Sequence, residues 1–359
     1  MKAAVLVELN HPLEVVELAL PRLDIGQVKV QLHCSTICGA QVGEISGIKG
    51  RDKFLPHLLG HEGGGVVLEV GPGVTLVKPG DHVVLHWRKG AGIQSSTPRY
   101  QWEGRTVNAG WVATFADQAI VSENRITRIE DDIPFEIASL LGCAVTTALG
   151  LINRDAKVQI GEAVAVIGCG GIGLNVVQGA AMVSADPIIA IDIYDHKLDM
   201  AKRFGATHVI NSMNDDPSEM LAKVVGMPDQ QTIKGKPSES VHMGGIDVVV
   251  ENTGNVDLIE MDYQFTKPRT GRTILVGVPR HDHDITIHSL PLHYGQVLTG
   301  SEGGHTNPTI DIPRYLNLYR KGKLELDSVI THRFPLAEIN RAFDLMRAGE
   351  VGRCAITMT

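Results

Sequence analysis

Two rhythms of apolar residues divide the chain. Up to about Val145, apolar and polar positions alternate in short runs, KAAVLVEL, QVKVQLHC, GGGVVLEVG, DHVVLHW and FADQAIV. A period of two predicts half-buried strands with little helix between them. Gly71-Pro72-Gly73 and Pro79-Gly80-Asp81 are strong turn signals between those runs, so the first part reads as a small β-barrel. From about Leu149 the strand-like runs become continuously apolar: GEAVAVIG, PIIAIDI, THVIN, DVVVENTG and RTILVGVP. They alternate with helical stretches such as DHKLDMAKRFG, which predicts a parallel sheet covered on both faces. Beyond Gly300 come two amphipathic helices, IPRYLNLYRKGK and LAEINRAFDLMRAG, and an apolar run, CAITM, expected to return to the first domain. The predicted domains are therefore 1–148 with 301–359, and 149–300. Residues 215–245 are the least regular: DDPSEM has the form of a helix start, and PDQQTIKGKPSES that of a polar surface excursion.

The stretch Ala163–Asp192 carries the most specific local signal. An apolar run, AVAVI, turns through Gly168-Cys169-Gly170-Gly171-Ile172-Gly173 into a helix-compatible segment, and a second run, IIAI, ends on Asp192. The dinucleotide fingerprint needs these residue types at this spacing. Gly168 permits the tight turn, Gly170 lets the backbone approach a pyrophosphate, and Gly173 lets helix and strand pack closely. The phosphates would sit on the free N–H groups of the helix N-terminus. Asp192 is placed to accept from both hydroxyls of an adenosine ribose and to repel a 2′-phosphate, which selects NAD over NADP.

Composition narrows the class. At 359 residues the chain exceeds one typical core, and 43% hydrophobic and 21% charged residues suit an α/β protein rather than a disordered one. A net charge of −8 without a long basic run argues against a general nucleic-acid or membrane-surface binder. MKAAVLVELN meets Glu8 too early for a secretory segment and reads as a first strand, while Ala163–Val183 is broken by glycines, Asn175 and Gln178 and does not read as a membrane span. Five irregularly spaced cysteines make no disulfide framework, so a reducing, cytoplasmic setting is expected.

Three positions in the β-rich part form a candidate metal set: Cys38 in ICGAQ, His61 with Glu62 in GHEGGG, and Cys143 in LLGCAVTTALG. Two thiolates and an imidazole suit a catalytic zinc that keeps one coordination position open. Each also has a plainer reading, since cysteines are often core residues and a histidine beside a glutamate is often only hydrogen-bonded. GHE followed by glycines, Cys-Gly about twenty residues before it, GC-x-x-TT-x-x-G entering a nucleotide fold, and a late VGVP together resemble the zinc-containing medium-chain dehydrogenase/reductase family of alcohol and polyol dehydrogenases. The resemblance spans essentially the whole chain. It implies a GroES-like β domain interrupted by a Rossmann domain, with one catalytic zinc in the cleft between them. It also implies metal ligands Cys38, His61 and Cys143, with Glu62 as a neighbouring carboxylate or alternative ligand. Thr147 and the backbone of Val278 would then face the nicotinamide, Asp192 and Lys197 the ribose, and Arg353 the pyrophosphate. Trp87 would line the substrate pocket. A homodimer or homotetramer is expected, through ILVGVP and Val297–Gly300.

Two departures from the family pattern stand out. Leu85–Asn108 contains no cysteine, so no structural zinc is expected. Ala40 stands where a Ser or Thr hydroxyl usually relays the substrate proton, Gln41 where an Asp often supports the histidine ligand, and Gly43 where a histidine can end the relay. These residues leave three readings: a zinc- and NAD(H)-dependent oxidoreductase acting on a secondary alcohol, polyol or sugar, a zinc-free double-bond reductase of the same superfamily, or a non-catalytic dinucleotide sensor. Cys34, Cys169 and Cys354 read as core, His281 and His283 as a solvated turn, and Arg88, Lys89, Arg99 and Arg105 as a charged loop that would also suit an anionic substrate.

Overall fold

The structure, a computed structural model, describes residues 1–226 and 244–358. It divides into two compact units, Met1–Thr146 with Thr306–Thr359, and Thr147–His305.

The first unit is built on a pair of long antiparallel strands, Gln27–Thr36 and Glu62–Val70, at the middle of a seven-stranded sheet. His82–His86 pairs with the second of them and Arg353–Thr357 with the first, so the last strand of the chain is stitched beside one of its earliest. The alternation seen in sequence becomes a buried face: Val28, Val30, Leu32, Val67, Val83, Leu85, Ala119 and Val121 form one apolar cluster. A second cluster joins Ala4, Leu6, Ile37 and Phe115 to Phe334, Ile339, Phe343 and Ile356 of the tail. The tail therefore belongs to the first unit because its apolar face is buried there. Its helices run Pro308–Arg320 and Ile339–Arg347, the former starting four residues before the sequence pattern because Pro308 occupies its first turn. A five-stranded sheet completes the unit and contains the hairpin Arg99–Trp102/Arg105–Asn108 within the segment read as a charged loop.

The second unit is a six-stranded parallel sheet: β1 Val164–Ile167, β2 Ile188–Asp192, β3 His208–Asn211, β4 Val248–Glu251, β5 Arg272–Leu275 and β6 Val297–Gly300. The spatial order β3-β2-β1-β4-β5-β6 is that of the dinucleotide-binding Rossmann sheet, which places a ligand crevice outside the carboxyl ends of β1 and β4. Gly168 has φ of +85°, and a Cβ on Gly173 would lie 2.0 Å from the Gly168 carbonyl oxygen, so both glycines are required by the turn into helix Gly171–Met182. DDPSEM does start a helix, Pro217–Val225, capped by the Asp216 carboxylate. The excursion PDQQTIKGKPSES lies outside the described residues.

Under this sheet Asp262, in helix Val256–Gln264, is fully buried with neither carboxylate oxygen hydrogen-bonded. Burial, and secondarily the charge of Glu251, push its carboxyl from 3.8 up to about 8. Between those values the folded protein keeps a proton that the unfolded chain releases, so stability falls as pH rises through this window and levels off above it. Asp262→Asn removes the ionisation while keeping the shape. Its melting temperature should gain on that of the parent protein steadily across the same window, and a difference independent of pH would contradict this assignment.

Candidate active site

Strand register gathers the candidate residues of the first unit at one end of its sheet. Ser35 pairs with Gly63, so the chain leaving Gln27–Thr36 toward Cys38 and the chain arriving from His61 emerge side by side. Glu62 pairs with His86, which brings Trp87 to the same end, and Ala355 pairs with Thr36, which does the same for Arg353. The Glu62 backbone is held by its own carbonyl, which accepts from Ser35 Oγ at 2.8 Å and Thr114 Oγ1 at 3.1 Å. Cys143 arrives from the turn after helix Phe135–Leu140, where a Cβ on Gly142 would lie 2.4 Å from the Leu85 carbonyl oxygen and 2.7 Å from Glu62 Cα. Only glycine allows that approach.

The Sγ atoms of Cys38 and Cys143 and a ring nitrogen of His61 all lie within 4.8 Å of one another. Ligands of one tetrahedral zinc at ordinary bond lengths stand roughly 3.3–3.8 Å apart, so a small contraction closes the set. The chemistry of the three donors fits the ion as well as the spacing does. His61 Nδ1 is engaged by the Gln41 side chain at 2.5 Å, while Nε2 is buried without a hydrogen bond of its own and faces Cys38. The two thiols share a hydrogen bond, which holds the Cys38 pKa well below and pushes the Cys143 pKa well above the usual thiol range. For His61, burial works against the charged ring, and the nearby Cys38 sulfur and its charge outweigh it to give a net upward shift.

Glu62 stands outside this ligand set. Its carboxylate is fully buried, with Oε1 on the Arg353 guanidinium and Oε2 accepting from the Ala144 N–H at 3.3 Å. Burial pushes the Glu62 carboxyl up and Arg353 opposes that shift. Arg353, assigned from resemblance to a pyrophosphate, is itself only 2% exposed and bonded to Glu62. That pairing was not visible in the sequence, where a lone arginine opens an apolar run. Trp87 stands beside the ligands with its ring 6.4 Å from that of His61, and its buried Nε1 has no hydrogen-bond partner. Arg125, overlooked in sequence, donates to the Trp87 carbonyl and stacks at 4.6 Å on Trp111, bracing the wall that Trp87 forms. Ala40 and Gln41 lie on a seven-residue helix, Gly39–Ile45, that the all-β reading of this region did not contain.

In the second unit the fingerprint residues meet at the ends of β1 and β2. Nothing lies within 4 Å of a Cβ placed on Gly170, so its backbone faces open space at the helix start, as approach by a pyrophosphate requires. Asp192 ends β2 and reaches over the glycine turn, accepting from the Cys169 N–H at 2.7 Å and from Ile193 N–H at 2.8 Å. Lys197 lies on the next helix, Asp195–Arg203, with its ammonium 4.6 Å from the Tyr194 ring. Val278 follows β5 and is half exposed, its backbone packed against Gly254 beyond β4. Thr147 begins the unit and is buried.

Comparison with known proteins joins these two halves. Residues 24–131 match the alcohol dehydrogenase GroES-like domain, and residues 171–319 match the zinc-binding dehydrogenase family. An alcohol dehydrogenase class-3 from Cereibacter sphaeroides is 34% identical across 99% of both chains. The chain belongs to the zinc-dependent medium-chain alcohol dehydrogenase family. An S-(hydroxymethyl)glutathione dehydrogenase from Paracoccus denitrificans is likewise 34% identical over 99% of each chain. The crystal structure of benzyl alcohol dehydrogenase from Acinetobacter calcoaceticus superposes with a TM-score of 0.85 at 26% identity, covering 100% of this chain and 99% of that one. This family member is thus an alcohol dehydrogenase-type oxidoreductase whose Cys38, His61 and Cys143 fit the catalytic zinc. Among the described residues no helix is long and apolar enough to cross a membrane.

Proposed function

We propose that the protein is a zinc-dependent, NAD(H)-linked dehydrogenase that interconverts a secondary or polyhydroxylated alcohol with its carbonyl compound. The observation that carries this reading is the convergence of two cysteine sulfurs and a buried, unpartnered histidine nitrogen within 4.8 Å. When bound, zinc at these donors would supply Lewis-acid polarisation of the substrate oxygen, and a nicotinamide dinucleotide at the glycine turn would supply the hydride acceptor. The protein's own residues do the rest. Trp87 walls the ligand set on one side, and Arg353 pairs with Glu62 beside it. The intact ligand set argues against a zinc-free double-bond reductase.

Ala40 offers no hydroxyl to take the substrate proton outward. The proton would then be taken by Glu62 or by water, or be relayed to solvent by a hydroxyl that the substrate itself brings, which favours polyols and sugars over simple alcohols. A homodimer or a tetramer of dimers is supported by β6, which among the described residues pairs with β5 alone and leaves Val297 39% exposed on the free edge. A cytoplasmic setting is supported by five cysteines that form no disulfide.

Turnover of a panel of ethanol, a secondary alcohol, polyols, sugars and S-(hydroxymethyl)glutathione by the zinc-loaded protein tests the reading. NAD⁺ should be preferred over NADP⁺ by at least about tenfold, a charge penalty near 1.4 kcal/mol, because Asp192 opposes a 2′-phosphate. Asp192→Ser should narrow that preference. Equal use of both cofactors by the unmodified protein would refute the ribose assignment, and inactivity on every substrate would favour a non-catalytic sensor.

A further inference from the structure

We propose that Gln41 sets the metal affinity of this site, because its single carboxamide holds both Cys38 and His61 and presents a donor where a zinc-binding histidine requires an acceptor. The inference rests on the metal reading of Cys38, His61 and Cys143. Gln41 is 1% exposed, at the third position of helix Gly39–Ile45. Its Oε1 accepts from the Cys38 N–H at 2.8 Å, and the other end of the carboxamide lies 2.5 Å from His61 Nδ1.

Those two contacts fix the orientation of the amide. A backbone N–H can only donate, so the atom facing Cys38 must be the oxygen, and the NH2 group then faces the histidine. An NH2 group also only donates, so Nδ1 serves as the acceptor and the ring hydrogen belongs on Nε2. Nε2, however, is the nitrogen left facing Cys38, since Nδ1 is taken by Gln41. A histidine that binds metal through Nε2 needs a lone pair there and carries its hydrogen on Nδ1, donated to a carboxylate, a carbonyl or water. Gln41 therefore stabilises the arrangement opposite to the one the metal selects.

Metal binding can satisfy His61 only if the carboxamide turns over, which sets NH2 against the Cys38 N–H, or if Nδ1–H is left facing NH2. Both alternatives lose a buried hydrogen bond, and both set two donors against each other. Replacing the amide nitrogen by an oxygen removes the conflict without changing shape. The glutamate of Gln41→Glu would accept from Cys38 N–H and from Nδ1–H at once, keeping the cap at the helix start.

The zinc-loaded parent protein and the zinc-loaded Gln41→Glu variant, challenged with chelators of graded affinity, give the decisive comparison. The variant should retain zinc about 10–100-fold more tightly, the range by which partners of metal-binding histidines alter affinity. Cobalt(II) substituted into both should show shifted visible bands in the variant, since a carboxylate-supported imidazole is a stronger donor. If Gln41→Glu folds poorly, Gln41→Asp carries the same expectation. Zinc retention unchanged or weakened in a variant that melts within a few degrees of the parent, or identical cobalt spectra, would overturn the proposal. A parent protein that takes up no zinc at all would instead overturn the metal reading on which it rests.

Discussion

Cys143→Ala should leave the protein without zinc and reduce its dehydrogenase activity by on the order of 10³ or more, since several kcal/mol of charge stabilisation at the substrate oxygen depends on the metal. The substitution removes one of three donors from a set that lies within 4.8 Å, and the backbone at Gly142 packs too closely on Leu85 and Glu62 for a neighbour to take its place. It also removes the thiol that donates to Cys38. Cys34→Ser provides the control: Cys34 is equally buried, but its sulfur lies 3.7 Å from Ser139 Oγ and stands outside the ligand set. Elemental analysis after exhaustive dialysis should find about one zinc per chain in the parent and in Cys34→Ser, as a single site with three protein ligands requires. Metal retained by Cys143→Ala would remove this cysteine from the site. Two tightly bound ions in the parent would overturn the reading of Leu85–Asn108 as a lobe without a metal.

The fold was legible wherever burial writes a simple period into the chain. VAVI, IIAID and VVVE are buried on both faces and read as strands because nothing polar interrupts them. The elements that escaped notice are those whose stability comes from contacts distant in sequence or from a single cap. Helix Gly39–Ile45 contains two glycines in seven residues and has no apolar stripe of useful length. It is held by Gln41 bonding back to Cys38, a contact that propensity does not register. The hairpin Arg99–Trp102/Arg105–Asn108 did leave a signal: two runs separated by Glu103-Gly104, both with positive φ. Glutamate is an unusual first residue for such a turn, and the surrounding charges made the segment read as solvated loop.

For the site, residue types were informative and spacing was not. Cys38, His61 and Cys143 are far apart in the chain, and what joins them is the pairing of Ser35 with Gly63 together with the close approach at Gly142. Register is a property of the folded sheet, so only resemblance to a known family could anticipate it. Resemblance also carried Arg353 to the cofactor, while the pairing of Ala355 with Thr36 delivers its guanidinium to Glu62.

That ion pair leads to the second large expected effect. Glu62 is 0% and Arg353 2% exposed, so each charge is removed from water and the pair bond stabilises both. Breaking such a pair from one side typically costs about 3–5 kcal/mol, because an uncompensated charge remains buried. The two sides should not cost the same. In Glu62→Gln the arginine cannot shed its proton and keeps only the cysteines of the site as partners, so most of the penalty remains. In Arg353→Met the carboxyl loses the group that holds its pKa down, while burial already pushes it up, so it takes up a proton and escapes part of the penalty. Denaturant unfolding should therefore rank Glu62→Gln as the more damaging change. The double variant Glu62→Gln/Arg353→Met should recover stability relative to Glu62→Gln alone, giving a coupling of roughly 1–3 kcal/mol. Strictly additive losses would mean that the two groups do not stabilise one another, and a larger loss in Arg353→Met would show that Glu62 stays ionised without its partner.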